Sequence, residues 1–482
     1  MTNKKTFKAF VFFNILFLFI AAQSIAQVKM ASIFTNNLVL QQEAKVPIWG
    51  WTKPGENVSV LTSWNKQNYN TKADENGKFK VYVNTPKAGG PYEITIKDKK
   101  SLTISNILIG EVWILGGQSN MEMTLKGMPS QPVLGANEAI LRSKNPNIRL
   151  YVIPRAREFN EKENSKPSSW KSAEPESVAN FSAAGYFFGN LVQESLNVPI
   201  GLINVNYGGS NVEAWMSRKD LKEFNGIELP KVADSATVNN RSATALYNGM
   251  LHPIIGYGIK GALFYQGESN YDRPDQYETL FPAMVKEWRT KWQQGDFPFY
   301  YVQIAPFDYR ILPPHNSGGK YNSAYLRDAQ RKALDKIPNS GMVSLIDLGE
   351  KTSIHPMHKK ECGERLAFMA LGKTYGIKGI AYEAPTYDAI TVEGSTVTIK
   401  FKNAKMGLTS YSKEMVNFEI AGKDQIFHPA KAKISRDIIL LSSPEVKEPI
   451  AVRYAFSDFV VGDLFSTDGL AISSFRTDNF EK

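Results

Sequence analysis

Between about residues 110 and 383, short apolar runs ending in polar or glycine-rich turns alternate with stretches of helical periodicity, and few folds accommodate that order. The apolar runs fall at residues 112–115, 200–205, 260–265, 299–304 and 342–346. Helical spacing occupies 183–196, 277–292, 325–336 and 358–375. Strands buried on both faces read as continuous apolar runs, and helices between them supply the crossovers of a parallel sheet. The expected core is therefore a three-layer α/β/α domain over residues 110–383. Its ligand site should lie at the carboxyl ends of the strands.

The flanks follow a different period. Residues 27–109 carry closely spaced strand patterns broken by Pro54-Gly55 and Gly89-Gly90-Pro91, and 78–83 alternates with period two. Residues 384–482 return to strand patterns at 389–392, 397–401, 438–441 and 450–454. Both regions predict β-sandwich or jelly-roll-like structure. The segment 154–177, rich in Glu, Asn, Ser and Lys, reads as an insertion loop.

Residues 1–26 have the form of an export signal: Lys4, Lys5 and Lys8, an apolar run from 9 to 22, then Ser24-Ile25-Ala26 as a small-x-small cleavage site. A membrane anchor is the rival, but the run is short for a span of about 20 residues. The expectation is a periplasmic or secreted protein with no stable membrane insertion after cleavage. The single cysteine, Cys362, sits in a helical pattern and cannot form an internal disulfide. The formal charge of +10 stays positive without the three signal lysines, yet the basic residues are scattered, which argues against nucleic-acid binding.

The turn closing the first strand of the middle region, Gly116-Gly117-Gln118-Ser119-Asn120-Met121, exposes a serine hydroxyl and leaves its N–H free. A nucleophile and an oxyanion donor both need this. Gly-x-Ser turns occur in many chains that catalyse nothing, so the weight lies in three further strand ends. Gly208-Gly209 either brings backbone N–H groups close to a ligand or forms an ordinary tight turn. In Gln266-Gly267-Glu268-Ser269-Asn270, Gln266 or Asn270 offers an amide to an oxyanion, and Glu268 serves as a base or as an anchor for its loop. His355 lies between the last strand and the last helix, where a general base is needed. His252 precedes a proline and reads as packing, His315 lies in a Pro/Gly-rich loop, and His428 falls in the terminal β region. His355 and His358 are a lone pair split by Pro356, without His-Glu-x-x-His or a cysteine cluster, so no metal is expected. No Walker-type or GxGxxG loop is present, and no cofactor is expected.

Taken in order, these segments resemble the sialate O-acetylesterase family of carbohydrate esterases, within the SGNH hydrolase group. The likeness runs from about Ser32 to Phe475. It rests on Gly110-Glu111-Val112-Trp113, Gly117-Gln118-Ser119-Asn120-Met121, Gly208-Gly209-Ser210 with Glu213-Ala214-Trp215, Tyr247-Asn248-Gly249-Met250, Tyr265-Gln266-Gly267-Glu268-Ser269-Asn270, Ile354-His355-Pro356, and a closing Arg453-Tyr454-Ala455-Phe456-Ser457-Asp458 with Phe475-Arg476-Thr477-Asp478. The resemblance implies an SGNH-type hydrolase with Ser119 as nucleophile and His355 as base. The oxyanion would be held by the N–H of Ser119, an N–H at Gly208 or Gly209, and an amide from Gln266 or Asn270. Many relatives carry an aspartate two or three residues before the histidine, where this chain has Ser353 and Thr352. That leaves a backbone carbonyl, or a more distant carboxylate such as Asp347, to orient the ring. The implied substrate is an O-acetylated sialoside, with acetylated xylan or another plant glycan as the alternative. A non-catalytic carbohydrate-binding protein is the rival of another class.

Overall fold

The computed structural model describes residues 28–312 and 322–480. The expected signal segment and His315 lie outside the described residues.

The middle of the chain forms a parallel sheet. Its strands are β1 (Ser101–Gly117), β2 (Asn145–Val152), β3 (Ile200–Asn206), β4 (Gly261–Tyr265), β5 (Phe299–Val302) and β6 (Ser340–Val343). Their spatial order is β2-β3-β1-β4-β5-β6, with a short antiparallel strand, Lys171–Ala173, on the β2 edge. The five main strand pairs are all parallel. Chain order reverses at β1, which lies between β3 and β4, so the ends of these three strands meet at the topological switch point.

Alternation along β1 splits the core into two layers. Val112 and Ile114 face one side with Phe264, Phe281 and Tyr301, while Trp113 and Leu115 face the other with Phe188, Tyr300 and Leu366. Helices α2 (Ala183–Leu196) and α5 (Lys359–Met369), which follow the four-residue α1 (Ser119–Glu122), cover the Trp113 face. Helices α3 (Pro274–Trp292) and α4 (Ala324–Lys332) cover the other. This is the three-layer α/β/α architecture expected from the sequence.

The sequence misses β2 and its Lys171–Ala173 neighbour. The polar start of β2, Asn145-Pro146-Asn147, hides a strand whose later residues Ile148, Leu150 and Tyr151 are buried. The expected insertion loop of 154–177 thus contributes an edge strand and the start of a helix, Pro175–Ala179. The last two expected helices end early, in a 3₁₀ turn (Ala333–Asp335) and a π turn (Ala370–Thr374).

The division expected between residues 109 and 110 falls inside β1. Its first half pairs with Gly89–Lys97 and Val39–Gln41, and its second half with β3 and β4. The amino-terminal β region is therefore welded to the central sheet by one continuous strand. At the other end, two four-stranded antiparallel sheets share a core that includes Val397, Ile399, Phe418, Ile439, Tyr454 and Phe475. Arg327 of α4 is fully buried and reaches into this region, donating to the carbonyl of Ser457 and to Ser474 Oγ.

Candidate active site

The backbone turn at the end of β1 has a clear physical origin. Gly117 has φ +136°, and a Cβ there would lie 2.1 Å from the carbonyl oxygen of Tyr265. Only glycine lets β1 pack this closely on β4 before turning into α1. Gln118 N–H donates to Tyr265 O at 2.9 Å, and Ser119 follows as the first helical residue, half-buried at the floor of a cavity of about 370 Å³.

Ser119 and His355, 236 residues apart in sequence, meet here: Oγ lies 2.7 Å from Nε2. The opposite ring nitrogen, Nδ1, lies 2.6 Å from Gln131 Oε1. Since the Gln131 oxygen only accepts, Nδ1 carries the proton, and Nε2 presents its lone pair to the Ser119 hydroxyl. Burial, followed by the charge of Lys359, lowers the His355 pKa to about 4. The imidazole is therefore neutral and ready to accept a proton at pH 7.

The third partner is thus the neutral side chain of Gln131, and the expectation of Asp347 is corrected. Asp347 is engaged with Arg365 of α5 through two contacts of 2.8 and 2.6 Å. Ser353 is turned onto its own backbone, bonding the N–H and C=O of His355, and Thr352 is exposed. Gln131 arrives on a tight turn closed by reciprocal backbone bonds with Met128. Nothing in its sequence neighbourhood marks it.

The expected oxyanion donors divide. Gly208 packs beside Ser119, but its N–H donates to Glu122 Oε2 at 2.8 Å, and Glu122 is in turn held by Arg155. Among the described residues, the N–H groups of Ser119 and Gly209 have no protein acceptor, and both residues line the cavity. The amides of Gln266 and Asn270 point elsewhere. Gln266 Nε2 donates to Ser210 O and Asn270 Oδ1, and Asn270 Nδ2 donates to Glu213 Oε2. They brace the β3 and β4 turns against each other, so their expected role in the oxyanion hole is corrected. A cluster of amides at a strand end reveals a polar turn, not the direction its donors take.

Glu268 lines the cavity and accepts from Asn120 Nδ2, and burial raises its pKa. It makes no hydrogen bond to His355, which leaves it as an anchor. Arg241 and Arg273 line the cavity wall. Arg241 donates through Nε to Gly209 O, and Arg273 pairs with Glu213 at 2.8 Å. Cys362 is buried on the inner face of α5 and its thiol is pushed up to about 12 by that burial, as expected of a packed residue. His252 and His428 bond to Lys162 O and to Glu445, away from the cavity. Among the described residues, no cluster of His, Cys, Asp and Glu has the makings of a metal site, and no helix is long and apolar enough to cross a membrane.

Comparison with known proteins completes the assignment. Residues 109–371 match the family described as carbohydrate esterase, sialic acid-specific acetylesterase. Sialate O-acetylesterases of Pongo abelii and Homo sapiens are each 28% identical over 391 residues, covering 75% of this chain and 74% of theirs. A carbohydrate acetylesterase from Xanthomonas citri superposes with a TM-score of 0.85 at 32% identity, over 94% of this chain and 100% of that one. A parallel-sheet domain of this kind, with these relatives, is a carboxylic ester hydrolase. The chain belongs to the carbohydrate esterase, sialic acid-specific acetylesterase family.

Proposed function

We propose that the protein is exported and removes O-acetyl groups from carbohydrates, O-acetylated sialic acids foremost, through an acyl-enzyme on Ser119. The observation that carries this is the 2.7 Å contact between Ser119 Oγ and a neutral His355 Nε2, at the switch point of the sheet. As Oγ attacks the acetyl carbonyl, its proton passes to Nε2. The imidazolium keeps its Nδ1–H on Gln131, and the tetrahedral oxyanion is held by the N–H groups of Ser119 and Gly209. Collapse of this intermediate breaks the ester C–O bond, and the sugar oxygen takes the proton from Nε2. Water then attacks the acetyl-serine with His355 as base, releasing acetate and restoring the hydroxyl. A single oxyanion donor of this kind contributes about 2.7–4 kcal/mol to the transition state.

Two features support a sialoside over a neutral sugar. The family and the curated relatives are named for sialate, and the cavity wall carries Arg241, a cation suited to a sugar carboxylate. Export is supported by the composition of residues 1–26.

The test is an acetate-release panel of 9-O-acetyl sialosides, acetylated xylan and acetylated pectin, with wild type beside Ser119→Ala. Turnover should be highest on the sialosides and absent in Ser119→Ala, whose thermal unfolding should match wild type. Faster release from xylan would move the substrate to plant glycans. Full activity in the alanine variant would overturn the mechanism. Glycan binding without any acetate release would make the protein a lectin-like member of its family.

A further inference from the structure

Directly behind the Ser119–His355 pair lies a buried polar chain that the acyl-transfer scheme does not use. Asn120, the residue after the nucleophile, is 1% exposed, and its amide is engaged on every side. Nδ2 donates to Glu268 Oε1 and, at 3.0 Å, to the carbonyl of Ile354, the residue before His355. Oδ1 accepts from Lys359 Nζ at 2.6 Å. Lys359, also 1% exposed, opens α5 and packs its ammonium 5.7 Å from the centre of the Tyr265 ring. Four segments thus converge on one amide: the start of α1, the turn after β4, the loop carrying His355 and the first turn of α5.

The chemistry fixes the amide in one orientation. Its carbonyl must face the ammonium and its NH₂ the carboxylate, so Asn120 separates and joins two opposite buried charges. Aspartate there would set two carboxylates against each other, and an apolar residue would remove a hydrogen-bond partner from each of three buried polar groups. A lone lysine on an apolar helix face would be expected to bend its amine to solvent. This one is held inside, next to the catalytic loop.

We propose that Glu268–Asn120–Lys359 is a positioning device for the esterase reaction: Asn120 locks the backbone of Ser119 to that of His355, and Lys359 presents a buried positive charge to the imidazole. The bond to Ile354 O makes the nucleophile and base move as one unit. The charge of Lys359 opposes protonation of His355 and adds to the effect of burial. The other charged or titratable groups around these two are accounted for. Lys359 meets Glu268 from the β4 turn, Glu350 from the loop after β6, and Cys362 on its own helix. His355 shares its cavity with Glu268, Asp272, Arg241 and Arg273, and among charged groups only Lys359 contributes to its shift. Burial brings the Lys359 pKa to about 8, so the ammonium is present at neutral pH.

This inference rests on the Ser–His reading above, and the experiment separates the two. The mature enzyme, Asn120→Ser and Lys359→Met are assayed on p-nitrophenyl acetate from pH 3.5 to 9, with thermal unfolding recorded for each. A fluorophosphonate probe reports on Ser119. Asn120→Ser should lower kcat by about tenfold to a hundredfold with KM within about twofold, since a small displacement of a reacting pair has that cost. Lys359→Met should move the acid limb of kcat/KM upward by about 1 pH unit, as loss of a neighbouring positive charge requires. A folded Lys359→Met with an unmoved acid limb would overturn the electrostatic half. Asn120→Ser with wild-type kcat would overturn the positioning half. If Lys359→Met does not fold, Lys359→Gln is used for the same measurement. A wild-type enzyme that neither turns over the ester nor reacts with the probe would instead remove the Ser–His reading itself.

Discussion

The neutral partner of His355 permits a sharp prediction. Gln131 Oε1 accepts from Nδ1–H at 2.6 Å, and glutamate has nearly the same shape, so Gln131→Glu puts a negative charge where the amide oxygen now sits. The new charge would lie about 4 Å from the imidazolium that the proposed mechanism forms. At an effective dielectric constant of about 20, that attraction amounts to about 4 kcal/mol before solvation losses. A nearby opposite charge commonly shifts a pKa by about 1–3 units. Starting from about 4, the His355 pKa should rise to between about 5 and 7. The acid limb of kcat/KM, which reports the free enzyme, should move up by the same amount. Gln131→Ala tests the other half. A neutral hydrogen bond is worth about 0.5–1.5 kcal/mol, so its loss should lower kcat/KM by roughly 2- to 13-fold without a large shift in pH profile. Both variants are assayed on p-nitrophenyl acetate over pH 3.5–9, with unfolding followed in parallel. An unmoved acid limb in a folded, active Gln131→Glu enzyme would refute the argument. So would a loss near 10⁴ in Gln131→Ala, the scale associated with removing a buried triad carboxylate.

Two further predictions concern carboxylates away from the reacting atoms. Asp347→Asn should break the paired contacts with Arg365 and lower stability by about 3 kcal/mol in denaturant unfolding, while leaving the acid limb of kcat/KM where it is. Glu287 is buried under Ser217 and its pKa is raised to about 7, first by that burial. A raised carboxylate binds its proton more tightly in the folded state, so its contribution is fully present below about 4.5 and is lost as pH rises toward 7. Glu287→Gln should therefore flatten the fall in stability between pH 4.5 and 8 by about 3 kcal/mol relative to wild type; parallel curves for the two proteins would remove the assignment.

The parts of this molecule that were legible in its sequence are those where local chemistry and tertiary need coincide. Strands β1, β3, β4 and β5 lie between helical layers, so both faces are buried and their residues run apolar. Ser119 announces itself because the backbone beside it admits no side chain at Gly117. β2 was hidden because its polar start breaks the apolar run, and the join at residues 109 and 110 because one strand serves two pairings. Gln131 was illegible for a different reason. Its position against His355 is created by a turn meeting a loop 224 residues away, and a single glutamine beside Pro132 carries no pattern. Asn120 and Lys359 were in view as letters, but their roles depend on burial and on each other. Gln266 and Asn270 show the converse error, since residue type suggested donors and geometry assigned them to brace two turns.

The neutral amide of Gln131 behind His355 and the presence of Lys359 beside it work in the same direction. In a charged triad the carboxylate stabilises the imidazolium, which strengthens the base and also lets it be captured by solvent protons in mild acid. Here burial and a neighbouring ammonium favour the neutral ring, and Gln131 fixes its tautomer without adding charge. In the proposed mechanism the proton transfer from Ser119 is then less favourable, and catalysis leans more on the spacing of the pair and on the N–H groups that would face the oxyanion. That explains why the geometry is so heavily constrained. Asn120 ties the serine to the histidine loop, Gly117 sets the turn, and the ring is bonded at both nitrogens. In that mechanism the same burial and charge keep the proposed base neutral into mild acid, which the acid limb of kcat/KM reads directly.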